Sequence, residues 1–205
     1  MRTSSGMILL SATLMCACAS PPVHYYSLAP TTSSSATRQR ARVALDILPV
    51  SLPAEIDRPE WITRYPGGSI EILGNKRWAA PLGEELQAAL AAQLQEETRM
   101  PLPDSISAPD LPRLRLKLTL QRFDIAPGQP TEIVANWSLG VPGKPHLFCP
   151  LEFKAPTAQT DIAALANVRR WQNALAQQIG QALLAWSANS STPQACSAFP
   201  LTDAH

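Results

Sequence analysis

Residues 113–121 read RLRLKLTLQ, and this alternation of leucine with charged or polar side chains constrains the fold more than any other feature of the chain. Successive side chains of an extended strand point to opposite faces. Leu114, Leu116, Leu118 and Leu120 therefore form one apolar row, while Arg113, Arg115, Lys117, Thr119 and Gln121 form a wet one. A strand over 111–123 built this way needs a cover on one side only, which is the habit of antiparallel sheets with one face in water. The phase slips at Arg122-Phe123, predicting a bulge or the strand end. Arg113, Arg115 and Lys117 read as a solvated face because alternation alone produces it; the rival reading is an anionic-lipid site.

The remaining segments supply the cover and the neighbours. Residues 24–28 (HYYSL) and 42–50 (RVALDILPV) are strand-like, the second with Val43, Leu45 and Ile47 alternating against Ala44, Asp46 and Leu48. EWITRY over 60–65 and SIEIL over 69–73 flank Pro66-Gly67-Gly68, a hairpin signal. Two further strands, 131–141 and 147–153, are joined through Pro142-Gly143-Lys144-Pro145. Pro81 opens a helix through residue 95 with Leu82, Leu86, Leu90 and Leu94 on one face. A longer amphipathic helix spans 161–186, its apolar positions being Ile162, Leu165, Val168, Leu175, Ile179, Leu183 and Trp186, and acidic Asp161 suits its start. The expectation is an α+β fold: a single mixed or mostly antiparallel sheet with two main helices on one face. The 20 prolines fall between these segments, so they punctuate the chain and do not disorder it.

The N-terminus fixes the compartment. Arg2 is followed by the apolar run MILLSATLM over 7–15, the layout of a secretory signal peptide and too short for a membrane span. Cys16 and Cys18 stand just behind it, and no ligand-type spacing to Cys149, Cys196, His24, His146 or His205 supports a metal pair. Leu14-Met15-Cys16-Ala17-Cys18 resembles a bacterial lipobox, in which a small residue precedes the lipid-bearing cysteine. Ala17 fits, so Cys18 is the expected acylated residue and Cys16 leaves with the signal peptide. Ala19 follows, not the Asp that signals inner-membrane retention, which points to the outer membrane and a periplasm-facing domain. Only residues 19–23 separate Cys18 from HYYSL, a tether of at most about 20 Å.

The predicted organisation is a signal peptide (1–17), a lipidated N-terminus with a first short strand and a polar loop (18–40), an α+β domain (41–188) to which strand 24–28 belongs, and a C-terminal tail (189–205). Loss of residues 1–17 removes Arg2 and leaves 16 basic against 16 acidic residues, with no basic stripe to bind nucleic acid. Phosphate loop, nucleophile elbow, thiol dyad and zinc-protease motifs are all missing, so no enzyme, cofactor or metal is expected. The adjacent pairs Glu84-Glu85 and Glu96-Glu97 read as solvated charges. Cys149 and Cys196 are an even pair in an oxidising compartment, which favours a disulfide clipping the tail to a strand; a free buried cysteine at 149 is the alternative.

The lipobox, the Tyr25-Tyr26-Ser27-Leu28 start, the run RPEWITRYPGGSIEILGNKRWAAPLGEELQAALAAQL over 58–94 and the closing long helix together resemble the PqiC family, also called ABC-type transport auxiliary lipoproteins. TRY at 63–65 and RWAAPL at 77–82 carry the most specific part of the likeness, which makes Tyr25, Tyr26, Arg64, Trp78, Pro81 and Leu82 the family-motif residues. The residues themselves read Trp78 and Leu82 as core and Arg64 as the partner of a buried carboxylate or carbonyl. The resemblance implies a non-catalytic lipoprotein that docks an MCE-domain protein of a Pqi-like lipid transport system at the outer membrane. A closed homo-oligomer would match a ring-shaped partner. The rival is a structural or wall-associated anchored binding lipoprotein, and a second rival is a hydrolase with a site assembled from distant residues.

Overall fold

The computed structural model describes residues 21–29, 44–65, 67–98, 111–144, 146–189 and 196. The proposed signal peptide, Cys16, Cys18 and most of the polar loop and tail lie outside them. The elements run β1 (His24–Tyr26), β2 (Ala44–Ile47), β3 (Glu60–Arg64), β4 (Ile70–Trp78), α1 (Leu82–Thr98), β5 (Arg113–Asp124), β6 (Thr131–Gly140), β7 (Leu147–Ala155) and α2 (Asp161–Asn189).

The class is α+β, but the expected single sheet is two. One sheet has the order β1-β4-β3 and the other β2-β5-β6-β7. β1 runs parallel to β4 and β2 parallel to β5, while the hairpin pairs β3–β4, β5–β6 and β6–β7 are antiparallel. Alternation says which face of a strand is buried, not which strand lies beside it, so the division was invisible in the pattern.

The four-stranded sheet follows the leucine periodicity. Leu114, Leu116, Leu118 and Leu120 of β5, Ile133, Ala135, Trp137 and Leu139 of β6, and Leu147, Cys149, Leu151 and Phe153 of β7 are all buried. Both helices cover that face: Leu86 and Leu90 of α1 meet Leu118 together with Trp171 and Leu175 of α2, and Trp137 Nε1 donates to Gln178 Oε1 at 2.7 Å. Burying so many aliphatic and aromatic side chains, at about 25 cal/mol per Å² of apolar surface, is the main force holding the layers together. The register of β5 shifts between Leu120 and Arg122, so Gln121 is the extra residue where the sequence phase slipped.

α1 keeps its leucine face, with Leu82, Leu86, Leu90 and Leu94 buried, and Pro81 stands one place before the helix, its carbonyl accepting from Glu85 N at 3.1 Å. α2 begins at Asp161 as expected, yet Ile162 is 77% exposed and does not belong to its apolar stripe. Trp171, in the gap between Val168 and Leu175, is fully buried instead. The β3–β4 turn is built on Gly67 and Gly68, whose φ values of 95° and 88° other residues rarely adopt. β4 continues to Trp78 because β1 offers it a partner over Lys76, Arg77 and Trp78.

Candidate functional site

The three-stranded sheet has two unlike faces. Tyr26 sits opposite Trp78 and Trp61 opposite Leu73, which puts these side chains on the inner face; β3 is covered on its other side too, since Ile62, opposite Ile72, is buried and Arg64, opposite Ile70, reaches Asp124 of β5, while Tyr25, Ile70 and Ile72 are exposed. The inner face starts an aromatic row. Ring centroids are 4.6 Å apart for Tyr26 and Trp61, 5.1 Å for Trp61 and Trp78, 6.2 Å for Trp78 and Phe123, and 6.2 Å for Phe123 and Trp171. Tilted and edge-on aromatic pairs at these spacings are favourable beyond their burial. The row runs from β1 through the first sheet into β5 and α2, and joins the two sheets without a shared ladder.

Polar groups lock β1 onto both helices. Tyr26 OH donates to Asp161 Oδ2 at 2.6 Å and Lys76 Nζ to Asp161 Oδ1 at 2.5 Å, so the first residue of α2 gathers a strand residue from each of β1 and β4. Burial pushes the Tyr26 hydroxyl up to about 12, and the bond to the Asp161 carboxylate adds to the shift. Burial alone would raise the Asp161 carboxyl, but the hydrogen bonds from Lys76 and Tyr26 and the charges of Lys76 and His24 outweigh it and hold the group below its usual value. On the other side, Ser27 Oγ and Leu28 N both donate to Glu85 Oε2 at 2.8 Å, and Ala79 N donates to Tyr26 O at 2.8 Å.

A second polar joint sits where β5 leaves the leucine row. Asp124 is buried, receives Arg122 Nε at 2.5 Å and lies 3.7 Å from Arg64 Nε across the boundary between the sheets. Arg64 also approaches Glu55 at 4.0 Å, and Arg122 reaches Glu132 at 2.6 Å. Its bond to Asp124 raises Arg122 above its ordinary value.

Of the sequence-predicted residues, Tyr26, Trp78 and Leu82 meet at the join of the sheets, Arg64 flanks it, Pro81 caps α1, and Tyr25 points outward. Cys149 is bonded to Cys196 with Cα atoms 5.7 Å apart, on the far strand β7 and away from this cluster in sequence and sheet. Cys18 lies outside the described residues. Arg113, Arg115 and Lys117 are exposed, Arg115 facing Asp46 at 3.6 Å. Glu84 is exposed, but Glu85 is not the solvated charge that its neighbour is: it is buried under the chain leaving β1. That burial had a signal, since Glu85 stands three residues after Leu82 and one before Leu86, inside the apolar stripe. Lys76, Asp161 and Asp124 were unread as partners.

Chemically the cluster ties distant parts of the chain together. A nucleophile needs a lowered pKa or an adjacent base, whereas Tyr26 is raised and its neighbour Asp161 is already engaged by Lys76. Among the described residues no group of three or more His, Cys, Asp or Glu side chains is placed to hold a metal, and no helix is long and apolar enough to cross a membrane. The void among Trp61, Trp78, Leu82 and Phe123 is about 10 Å³, room for about one water at most. An acyl chain does not fit there.

Comparison with known proteins gives the class. The family described as ABC-type transport auxiliary lipoprotein component matches residues 26–180, from Tyr26 through most of α2. The chain belongs to this family. Two crystal structures share this fold: a Xanthomonas campestris protein assigned to DUF330, with TM-score 0.61, 18% identity and coverage of 82% of this chain and 100% of that one, and a protein described only as uncharacterized, with TM-score 0.64, 16% identity and coverage of 80% and 99%. At such identities the likeness speaks for fold. No curated protein matches the sequence significantly. The family is one of transport auxiliaries and not of catalysts, and a lipid-anchored, membrane-associated protein fits it.

Proposed function

We propose that this chain is an outer-membrane lipoprotein, acylated on Cys18 after removal of residues 1–17, that serves as a non-catalytic auxiliary of an MCE-type lipid transport system of the Pqi kind and docks the outer end of its periplasmic channel. Residues 18–40 then form the lipidated N-terminus with its first strand, 41–188 the auxiliary domain and 189–205 the tail clipped at Cys196. The reading rests on one conjunction: the family match begins at Tyr26, and the lipobox-type Ala17-Cys18 stands just ahead of β1. Two or three acyl chains, at about 0.8 kcal/mol per buried methylene, anchor stably where a single chain is marginal. A homo-oligomer facing a ring of MCE domains completes the proposal.

Fractionation tests the anchor and crosslinking tests the partner. Cys18→Ser should leave the outer-membrane fraction and lose fatty-acid label, while Cys16→Ser keeps both. Crosslinking of the acylated protein in intact envelopes should recover an MCE-domain protein. Normal anchoring with no such partner would favour a structural or wall-associated lipoprotein instead.

A further inference from the structure

We infer that the free edge of β4 over residues 70–73 is a docking edge for an extended segment of another protein, one in which a lysine or arginine stands between two aliphatic residues. The inference stands on the described fold and does not need the reading of Cys18.

A sheet edge offers unpaired N–H and C=O groups to any passing strand, and proteins defend such edges. Three of the four margins here are closed. β2 meets α1, whose Gln87 Nε2 donates to Ile47 O at 2.9 Å. β3 lies next to β5, with Arg64 Nε 3.7 Å from Asp124. β7 carries exposed Pro150, Glu152 and Lys154, and its Cys149 is bonded to Cys196. The fourth margin is stepped. β1 accompanies β4 only over Lys76, Arg77 and Trp78, so residues 70–73, which pair with β3 on one side, have no strand on the other among the described residues. The register shift of β4 against β3 falls after Leu73 and leaves this stretch a regular strand.

The backbone of this stretch is turned the right way. Tyr65 N donates to Ser69 O at 3.0 Å, which makes that pair hydrogen-bonded across the hairpin. Antiparallel pairs alternate, so Glu71 and Leu73 bond toward β3 while Ile70 and Ile72 direct their N–H and C=O groups to the free edge. Two donors and two acceptors therefore await a partner strand, the arrangement used in strand addition.

The side chains say what kind of strand. Ile70 and Ile72 are 41% and 47% exposed, and an aliphatic residue laid beside each would cover them. Glu71 between them is exposed, and its carboxylate accepts from Tyr65 OH at 2.7 Å, which orients it and leaves acceptor capacity for a cation. Gly74, just beyond, is exposed with nothing within 4 Å of where a Cβ would stand, so the edge is not crowded at that end. A second copy of β4 is a poorer occupant. Its cations Lys76 and Arg77 stand where β1 already pairs, so its free residues would bring only another Glu71.

The test uses the full protein as the cell makes it, purified in mild detergent, with the synthetic peptide STVKVTS and its glutamate counterpart STVEVTS as probes. Fluorescence anisotropy measures binding and hydrogen exchange locates it. The lysine peptide should bind about fivefold or more tightly than the glutamate one and slow exchange in fragments spanning 69–74. Ile72→Pro removes an N–H that faces the free edge, not β3, and should weaken binding about fivefold or more. Glu71→Lys, at an exposed position, should reverse the preference between the peptides; this swap decides the matter if the proline variant has altered tryptophan fluorescence. Equal binding of the two peptides, protection appearing only outside 69–74, an unreversed preference in Glu71→Lys, or no binding at about millimolar peptide overturns the inference. Protection of 69–74 that rises with protein concentration before any peptide is added overturns it in favour of a second copy.

Discussion

Replacing Glu85 by alanine isolates what fixes the chain leaving β1 to the domain. The carboxylate is buried and one of its oxygens accepts from both Ser27 Oγ and Leu28 N at 2.8 Å. Leu28 is buried as well, so its N–H has no route to water in the variant, and a buried donor left unpaired costs about 1–3 kcal/mol. Ser27 is exposed and can rehydrate, which limits its share to about 1 kcal/mol. The expected loss is about 2–4 kcal/mol, which at about 2–4 °C per kcal/mol lowers the melting temperature by roughly 4–16 °C. Glu85→Gln keeps an oxygen that can receive both donors and should cost about 1 kcal/mol, the difference between charged and neutral acceptors. Denaturant titrations of the mature chain with Cys18→Ser, followed by tryptophan fluorescence, measure both variants without detergent. A change below about 0.5 kcal/mol in Glu85→Ala, or a glutamine variant as unstable as the alanine one, would refute the reasoning, since then neither the acceptor nor its burial matters.

Two further outcomes follow from the site and the disulfide. Tyr26 binds its proton more tightly in the folded state, so its contribution to stability is whole below pH 10 and is lost as pH rises toward about 12; Asp161, held below its usual 3.8, contributes above that value and loses its contribution as pH falls beneath it. Of the three tyrosines, the last to ionise in an absorbance titration should disappear in Tyr26→Phe, and an unchanged curve would remove the clamp from consideration. The Cys149–Cys196 bond closes a sequence separation of 47, and in the chain-entropy model its reduction should cost about 4 kcal/mol. Denatured, unreduced acylated protein should take up no maleimide, and two labelled thiols per chain would exclude the bond.

What the sequence disclosed and what it hid divide along one physical line. Period-two leucines placed β5, and β6, β7 and α1 followed from equally regular patterns, because a repeating face is a local property. The bulge at Gln121 was legible as a phase slip. Partners far apart in the chain were not. Tyr26 and Asp161 are 135 residues apart, and Lys76 and Asp161 85, so nothing in either neighbourhood announces the clamp. The polar end of β4, Gly74-Asn75-Lys76-Arg77, reads poorly as strand; the register with β3 shifts there, and β1 pairs with Lys76, Arg77 and Trp78. Ile162 matched the helix spacing but sits in the first turn of α2 and is exposed, so periodicity did not imply burial there.

The clamp also explains how so short a strand can matter to an anchored protein. β1 has three residues, and a ladder that small is marginal alone. With Tyr26 on Asp161, Leu28 on Glu85 and Tyr26 stacked on Trp61, the strand is instead held by both helices and the core. If Cys18 carries the lipid, those contacts set where the free tether ends. With β1 in place, five residues separate the acyl group from the fold and the reach is about 20 Å. Without it, the next strand begins at Ala44, 26 residues from Cys18, and an extended chain would reach about 90 Å. If Cys18 carries the lipid, weakening Glu85 or Asp161 changes height above the membrane as well as global stability. A variant that keeps its lipid and most of its stability, yet crosslinks less to a partner docked at the membrane, is the behaviour that this coupling requires.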